Sequence, residues 1–237
     1  MQKINIDSFL TQVHQGLSST NPVGQKSKLT QLGDAEKGSP NSTKTLQAKQ
    51  VEIPLLQIGD FTEENVTALL FDFKQRMPDF RYDGIIGLSY FGTNAVGVDY
   101  QKNRLIIDPT PLNKSTLGVV EADISRIVTV DLGVNQEVVK AHLDTGSPAY
   151  ISFPFSYTEK FELLEDLKFK SRAKTMGSDF EVYESPIKGK IQLGSILLEN
   201  PQVQFNKGDF KTINIGYEFL KDYLIYYDKQ SGLISLK

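Results

Sequence analysis

Apolar and polar residues alternate along most of this chain in short runs, broken by glycine, asparagine, aspartate and proline, the rhythm of half-buried strands and tight turns. Lys3-Ile4-Asn5-Ile6-Asp7 predicts a short strand ending at Asp7. Residues 15–50 are polar, with scattered leucines, and read as a long mobile connection holding at most a fragment of helix, although so long a loop is unusual in a compact domain. Order returns at residues 51–59, a strand closing on Gly59. Residues 64–71 fit a helix or a buried strand equally well. Ile85-Ile86-Gly87 reads as a buried apolar pair, residues 89–92 as a helical turn, and residues 95–100 and 104–107 as a hairpin.

Asp108-Pro109-Thr110-Pro111-Leu112-Asn113-Lys114-Ser115 is the strongest boundary signal, separating a first lobe (1–110) from a second (118–237). Beyond it, residues 127–131 and 138–143 form strands around a turn at 133–136, the second leading into Asp144. Ser156-Tyr157-Thr158-Glu159 has the form of a capping box, and Phe161, Leu164 and Leu167 at helical spacing predict a short amphipathic helix. Met176-Gly177-Ser178-Asp179 punctuates a hairpin whose return strand carries Tyr183. Strands at 190–194, 202–205 and 213–216 and a final hairpin over 224–236 complete an all-β pattern.

The halves repeat. Gln57-Ile58-Gly59 followed by Glu64-Asn65 matches Gln192-Leu193-Gly194 followed by Glu199-Asn200, 135 positions on. Ile85-Ile86-Gly87 matches Asn214-Ile215-Gly216, 129 positions on, and the same shift lays Asp99 on Asp228 and Gln101 on Gln230. Matches in the same order with slightly different offsets are the mark of a duplicated lobe with loop deletions. Residues 202–205 alternate behind a proline, so their counterpart, residues 66–71, is assigned as strand.

Composition narrows the chemistry. With 237 residues, 39% hydrophobic and a net charge of −3, the chain has material for a sizeable core and no basic cluster for nucleic acid. It has no cysteine, which excludes disulfides and thiolate chemistry, and two histidines, His14 and His142, too few for a histidine-rich metal centre or a Ser-His-Asp triad. No apolar run is long enough for a membrane span, and no leader is visible at Met1. The expected compartment is cytoplasmic if the chain is complete, and periplasmic or secreted if a leader has been removed.

One motif stands out within the repeat: the apolar strand Ala141-His142-Leu143 runs into Asp144-Thr145-Gly146-Ser147. With the two stretches ending at Gly87 and Gly216 and the hairpin after each, it resembles the aspartic peptidases, both the two-lobed pepsin-like and the single-lobed retropepsin-like forms. Asn214, in place of an apolar residue, departs from that pattern. The resemblance covers most of residues 51–108 and 124–237. It implies an all-β, two-lobed aspartic-protease-like β-barrel fold with a pseudo-two-fold repeat, and an endopeptidase acting through Asp144 and a second carboxylate. In such a site two close carboxylates share one proton, and no metal or cofactor is required.

On that resemblance Thr145 bonds across to the other lobe, Gly146 lets the two turns approach, Ser147 orients a carboxylate oxygen, and Gly87 and Gly216 buttress the turns. The expected partner is a peptide or protein substrate, with one chain sufficient and a homodimer pairing Asp144 with Asp144 as the alternative. Extending the repeat backwards lays Asp7 on Asp144, with Phe9 where Gly146 stands and the preceding strand missing. Asp7 is thus the candidate second carboxylate. The rival readings are a catalytically inactive peptidase-like module that binds a peptide or ligand, and an unrelated β protein with a chance tripeptide. A second Asp-Thr/Ser-Gly upstream of Met1 would favour the enzyme.

Overall fold

The computed structural model describes residues 2–5, 29–38, 45–59, 61–70, 85–108, 110–125, 127–174 and 179–237, with only the backbone at 2–5, 37, 38, 45 and 46. It is all-β. In the second half, β7 (Val119–Asp123), β8 (Thr129–Val134) and β9 (Glu137–Asp144) follow one another as antiparallel neighbours. Val130, Leu132, Val134, Ala141 and Leu143 alternate onto the buried face, where period-two spacing puts them. β10 (Ile151–Pro154) follows, then the hairpin of β11 (Lys168–Lys174) and β12 (Asp179–Pro186), whose tip at 175–178 lies outside the described residues. Next come β13 (Lys190–Leu193), β14 (Ile196–Glu199), β15 (Gln202–Lys207) and β16 (Ile213–Gly216). A four-residue helix α1 (Tyr217–Leu220) leads to the last hairpin, β17 (Leu224–Asp228) and β18 (Leu233–Leu236).

The helix expected after Ser156 does not form. A 3-10 turn covers Phe155–Glu159, and the chain then runs beside the segment after β12, with Leu164 N donating to Pro186 O and Lys188 N to Glu162 O. Phe161 turns inward against Phe153 at 5.0 Å, while Leu164 is left exposed. A helix this short gains little from its own hydrogen bonds, so the neighbouring backbone wins.

The first half has β1 (Gln2–Asn5), β2 (Thr30–Gly38), β3 (Thr45–Ile58), β4 (Phe61–Leu70), a 3-10 turn at Leu88–Phe91, and β5 (Ala95–Asp99) paired with β6 (Arg104–Asp108). Within residues 15–50, expected to be loop, residues 30–38 and 45–50 are instead paired strands. The segment 66–70 is strand, as the repeat required.

Register shows the duplication directly. Glu36↔Gln47 and Lys37↔Leu46 are mirrored 135 residues on by Ser171↔Val182 and Arg172↔Glu181, so the β2–β3 hairpin is the first lobe's counterpart of β11–β12, and both hairpins carry a bulge. Ile58↔Phe61 is mirrored by Leu193↔Ile196. At the other offset, Val96↔Ile107 and Asp99↔Arg104 correspond to Ile225↔Leu236 and Asp228↔Leu233. The repeated residues are turn chemistry. Gln57 Nε2 donates to Gly59 O at 2.8 Å and Gln192 Nε2 to Gly194 O at 3.0 Å, and Asn65 and Asn200 both take left-handed backbone, φ 54° and 49°.

The halves join in one sheet running β1-β6-β5-β17-β18-β7, which reads the same from either end under the repeat. Its centre is the pair Gly97↔Tyr226, residues equivalent to each other, so the pseudo-dyad passes between them. A Cβ on Gly97 would stand 2.7 Å from the Tyr226 ring. The strand expected over residues 3–7 is found at residues 2–5, and it lies on β6 as β7 lies on β18. That strand mirrors β7 and not β9. Asp7, His14 and Phe9 lie outside the described residues.

The cores are unequal. The larger packs Leu132, Ile151, Phe153, Ile191, Phe205, Ile215 and their neighbours in the second lobe, whereas the first lobe contributes a small cluster of Ile58, Phe91, Val96, Leu105 and Ile107. Ile85 was expected to be buried but is 75% exposed, because no described strand covers it.

Placing a methyl at the dyad centre should be costly because the Tyr226 ring must move. Gly97→Ala is expected to lower unfolding stability by about 1–3 kcal/mol in urea titration. In a Tyr226→Ala background most of that cost should vanish, and an undiminished cost would contradict the packing described here.

Candidate active site

Asp144 ends β9, whose parallel neighbour β16 is in register with it: Asn214↔His142 and Gly216↔Asp144. β10 borders the other edge of β16, antiparallel, so the loop 145–150 must cross over the end of β16. Backbone bonds stitch that crossing: Gly216 N to Tyr150 O (3.0 Å), Tyr217 N to Ser147 O (2.7 Å) and Glu218 N to Ala149 O (3.2 Å). Such an approach leaves no room for a side chain. A Cβ on Gly216 would lie 2.4 Å from Ala149 O and 2.7 Å from Ser147 O, which gives the physical reason for glycine here.

The Asp144 carboxylate is held from two sides. Gly146 N donates to Oδ1 at 3.0 Å and Asn214 Nδ2 to Oδ2 at 3.3 Å, while Ser147 N closes the turn onto Asp144 O at 3.1 Å. Ser147 Oγ accepts from Ala149 N at 3.4 Å, so it orders the loop, and Asn214 makes the carboxylate contact expected of Ser147. At Gly146 an added Cβ would meet only Oδ1 of Asp144, at 3.3 Å, among the described residues.

Thr145 does bond across to the first lobe, but its partner is Tyr100, on the turn between β5 and β6. The Tyr100 ring packs edge-on against Tyr217 at 5.2 Å. Burial pushes its hydroxyl up to about 12; the bond with Thr145 opposes that rise, and the neighbouring Tyr217 and Asp144 add to it. Tyr227 stands close by with a buried hydroxyl that has no partner among the described residues, its acidity also weakened by burial and then by Tyr100 and Asp144. His142 is held below its usual 6.5 by burial, with the charge of Asp144 and the neighbouring Asn214 amide acting the other way.

Two cavities meet at Asp144. One, of about 490 Å³, runs under the β11–β12 hairpin past Gly146, Lys174, Phe180, Val182 and Asn206. The other, about 390 Å³, lies between the lobes and is walled by Ile86, Val98, Leu105, Ile124, Val128 and Tyr227. Tyr183, a candidate aromatic of the hairpin, is packed between Phe155 and Phe169, with its hydroxyl on Glu181. Among the described residues no group of three or more His, Asp or Glu is placed to hold a metal, and no helix is long and apolar enough to cross a membrane.

The expected site residues of the second lobe, Asp144, Thr145, Gly146, Ser147 and Gly216, come together. At Gly87, among the described residues, a Cβ would meet only Ser89 Oγ, at 3.6 Å. Sequence reading missed Tyr100, for which nothing but its place after Asp99 offered a signal. Asn214 was noticed only as a departure, although a polar residue beside a strand leading to a carboxylate is itself a signal.

Comparison with solved structures finds an equine infectious anaemia virus (EIAV) protease in complex with the inhibitor HBY-793, at 14% identity and TM-score 0.36, covering 44% of this chain and 93% of that one. It also finds a retropepsin-like aspartic protease from Rickettsia conorii, at 17% identity and TM-score 0.39, covering 50% of this chain and 87% of that one. No family model matches the sequence, and no curated protein matches it.

Gly216 and Gly87, equivalent under the repeat, give a paired test. Gly216→Ala should destabilise the protein by about 2–4 kcal/mol, since backbone must move, whereas Gly87→Ala should fall within about 0.5 kcal/mol of the parent, read as urea midpoints. Similar losses for both would show that the first lobe carries the same crossing. Separately, Tyr100→Phe should cost about 0.5–1.5 kcal/mol, and combining it with Thr145→Val should add little, because both remove one bond.

Proposed function

We propose that this chain is an aspartic-type endopeptidase in which Asp144 is one of two carboxylates that activate a water. The observation that carries the reading is the Asp144 turn itself: a carboxylate at a strand end, held by Gly146 and Asn214, opening onto a cavity roofed by a hairpin. An extended peptide in that cavity has the backbone of a strand hairpin to bond with and apolar walls at Phe180 and Val182 for side chains. The ionised carboxylate takes a proton from water as the water oxygen attacks the peptide carbonyl carbon. The protonated carboxyl stabilises the oxyanion and then protonates the departing amine as the C–N bond breaks. On this reading the step calls for no metal or cofactor.

The second carboxylate is the open element. Asp7 is the one acid between β1 and β2, and it follows a strand that mirrors β7. What approaches Asp144 from the first lobe, among the described residues, is Tyr100. That contact favours a second reading, in which the turn is kept for binding and the chain is a non-catalytic peptide-binding module. A homodimer through Asp144 is disfavoured, because the first lobe already holds the pseudo-dyad position beside β17.

The discriminating experiment is hydrolysis of unstructured peptides at mildly acidic pH, comparing the chain with Asp144→Asn. The endopeptidase reading expects the variant to lose at least about 100-fold in kcat/KM. Equal rates would sink it, and peptide binding by both proteins without cleavage by either would establish the binding module.

A further inference from the structure

His142 and Asn214 face each other across the parallel β9·β16 pair, one step below Asp144 and Gly216. Their sequence neighbours Ala141, Leu143, Ile213 and Ile215 are apolar and buried in the core. Alternation along the strands therefore sets His142, Asp144 and Asn214 together on the opposite face. Asn214 is 3% exposed, and its Nδ2 donates to Asp144 Oδ2 at 3.3 Å. That leaves two buried atoms without a hydrogen-bond partner among the described residues, Asn214 Oδ1 and His142 Nδ1. One is an acceptor and the other can carry a proton, and they belong to residues in register.

We propose that His142 donates its Nδ1–H to Asn214 Oδ1, and that this bond fixes the Asn214 amide with its Nδ2 turned toward Asp144. The three residues then act as a positioning chain, His142 to Asn214 to Asp144. The directions follow from the donor inventory. An ionised carboxylate only accepts, so the amide must present nitrogen to Asp144 and oxygen to the imidazole. The imidazole must in turn offer an N–H at Nδ1. A flipped amide would aim its oxygen at the carboxylate and leave both contacts repulsive. Burial keeps the imidazole in its neutral, single-N–H form at neutral pH. The groups facing it are Asp144 on its own strand, Asn214 on β16 and Thr129 in register on β8, with Tyr227 and Lys229 in the wall of the shared cavity.

The chain gives Asn214 a purpose that an apolar residue at this position could not serve, and it makes His142 a positioning residue that acts through Asn214. It deepens the reading of Asp144 as the site's acid, yet its test reads the imidazole directly and does not depend on cleavage.

Two histidines are present, so His14→Gln leaves a single imidazole in a long-range ¹H–¹⁵N NMR spectrum. The expected spectrum at neutral pH is that of the Nδ1-protonated tautomer, titrating below 6.5. Asp144→Asn removes a charge that raises the imidazole's midpoint and should lower that midpoint further. Asn214→Leu should shift the ring toward the Nε2-protonated tautomer, a change that loss of packing alone would not produce. If Asn214→Leu does not fold, the parent tautomer and the Asp144→Asn titration still decide the matter. An Nε2-protonated ring in the parent, or a midpoint indifferent to Asp144→Asn, would overturn the proposal. Absence of peptide cleavage with the expected spectra would reject the endopeptidase reading and leave the chain of hydrogen bonds standing.

Discussion

The crossing of loop 145–150 over the end of β16 is the constraint on which the site depends. Parallel pairing of β9 with β16 brings Asp144 beside Gly216, and antiparallel pairing of β10 on the other edge forces the connecting loop over the top. Three backbone bonds lock the loop there, and they form only because residue 216 has no side chain. Hydrogen bonds to the carboxylate then follow from the turn and from the neighbouring strand. The chemistry is local, but its geometry is set by residues some seventy positions apart, which only a closed sheet brings together.

A second constraint is the shared sheet centred on Gly97 and Tyr226. Antiparallel pairing of β5 with β17 makes the two terminal hairpins equivalent about a pseudo-dyad and places the turn after β5 next to the Asp144 loop. Duplication therefore delivers two hairpins, two bulged β-ribbons and two glycine-capped helical turns in matching register. Among the described residues, a loop crossing of this kind is seen in the second lobe. The second lobe packs Gly216 tightly under a loop, whereas Gly87 and the exposed Ile85 meet no equivalent among the described residues. Among the described residues, the cross-lobe bond to Thr145 comes from Tyr100.

Local chemistry was legible wherever a residue type has few uses. The Gln-x-Gly and Asn pairs announced the repeat because a left-handed asparagine and a carbonyl clamped by glutamine are demanding conformations that few residues satisfy. The hairpins, the strand at 66–70 and the Asp144 turn followed from alternation and from the same turn signals. The polar stretch before residue 50 misled, because β2 and the early part of β3 are largely exposed ribbon whose residues need not be apolar to pair. The helix expected after Ser156 failed for the converse reason: its apolar spacing was real, but backbone partners from residues 186–188 outcompeted a few helical bonds.

By itself, then, the amino-acid order determined the all-β class, the duplication and the turn at the end of the strand reaching Asp144, since each is written in periodicity, turn residues or a contiguous motif. Tertiary structure alone decided what surrounds Asp144. Tyr100 reaches Thr145, and Asn214 reaches the carboxylate, through strand pairings that span 45 and 70 residues of chain. Contacts of that range carry no local pattern, because a hydrogen bond depends on which strands lie side by side, and that is settled by the packing of the whole sheet.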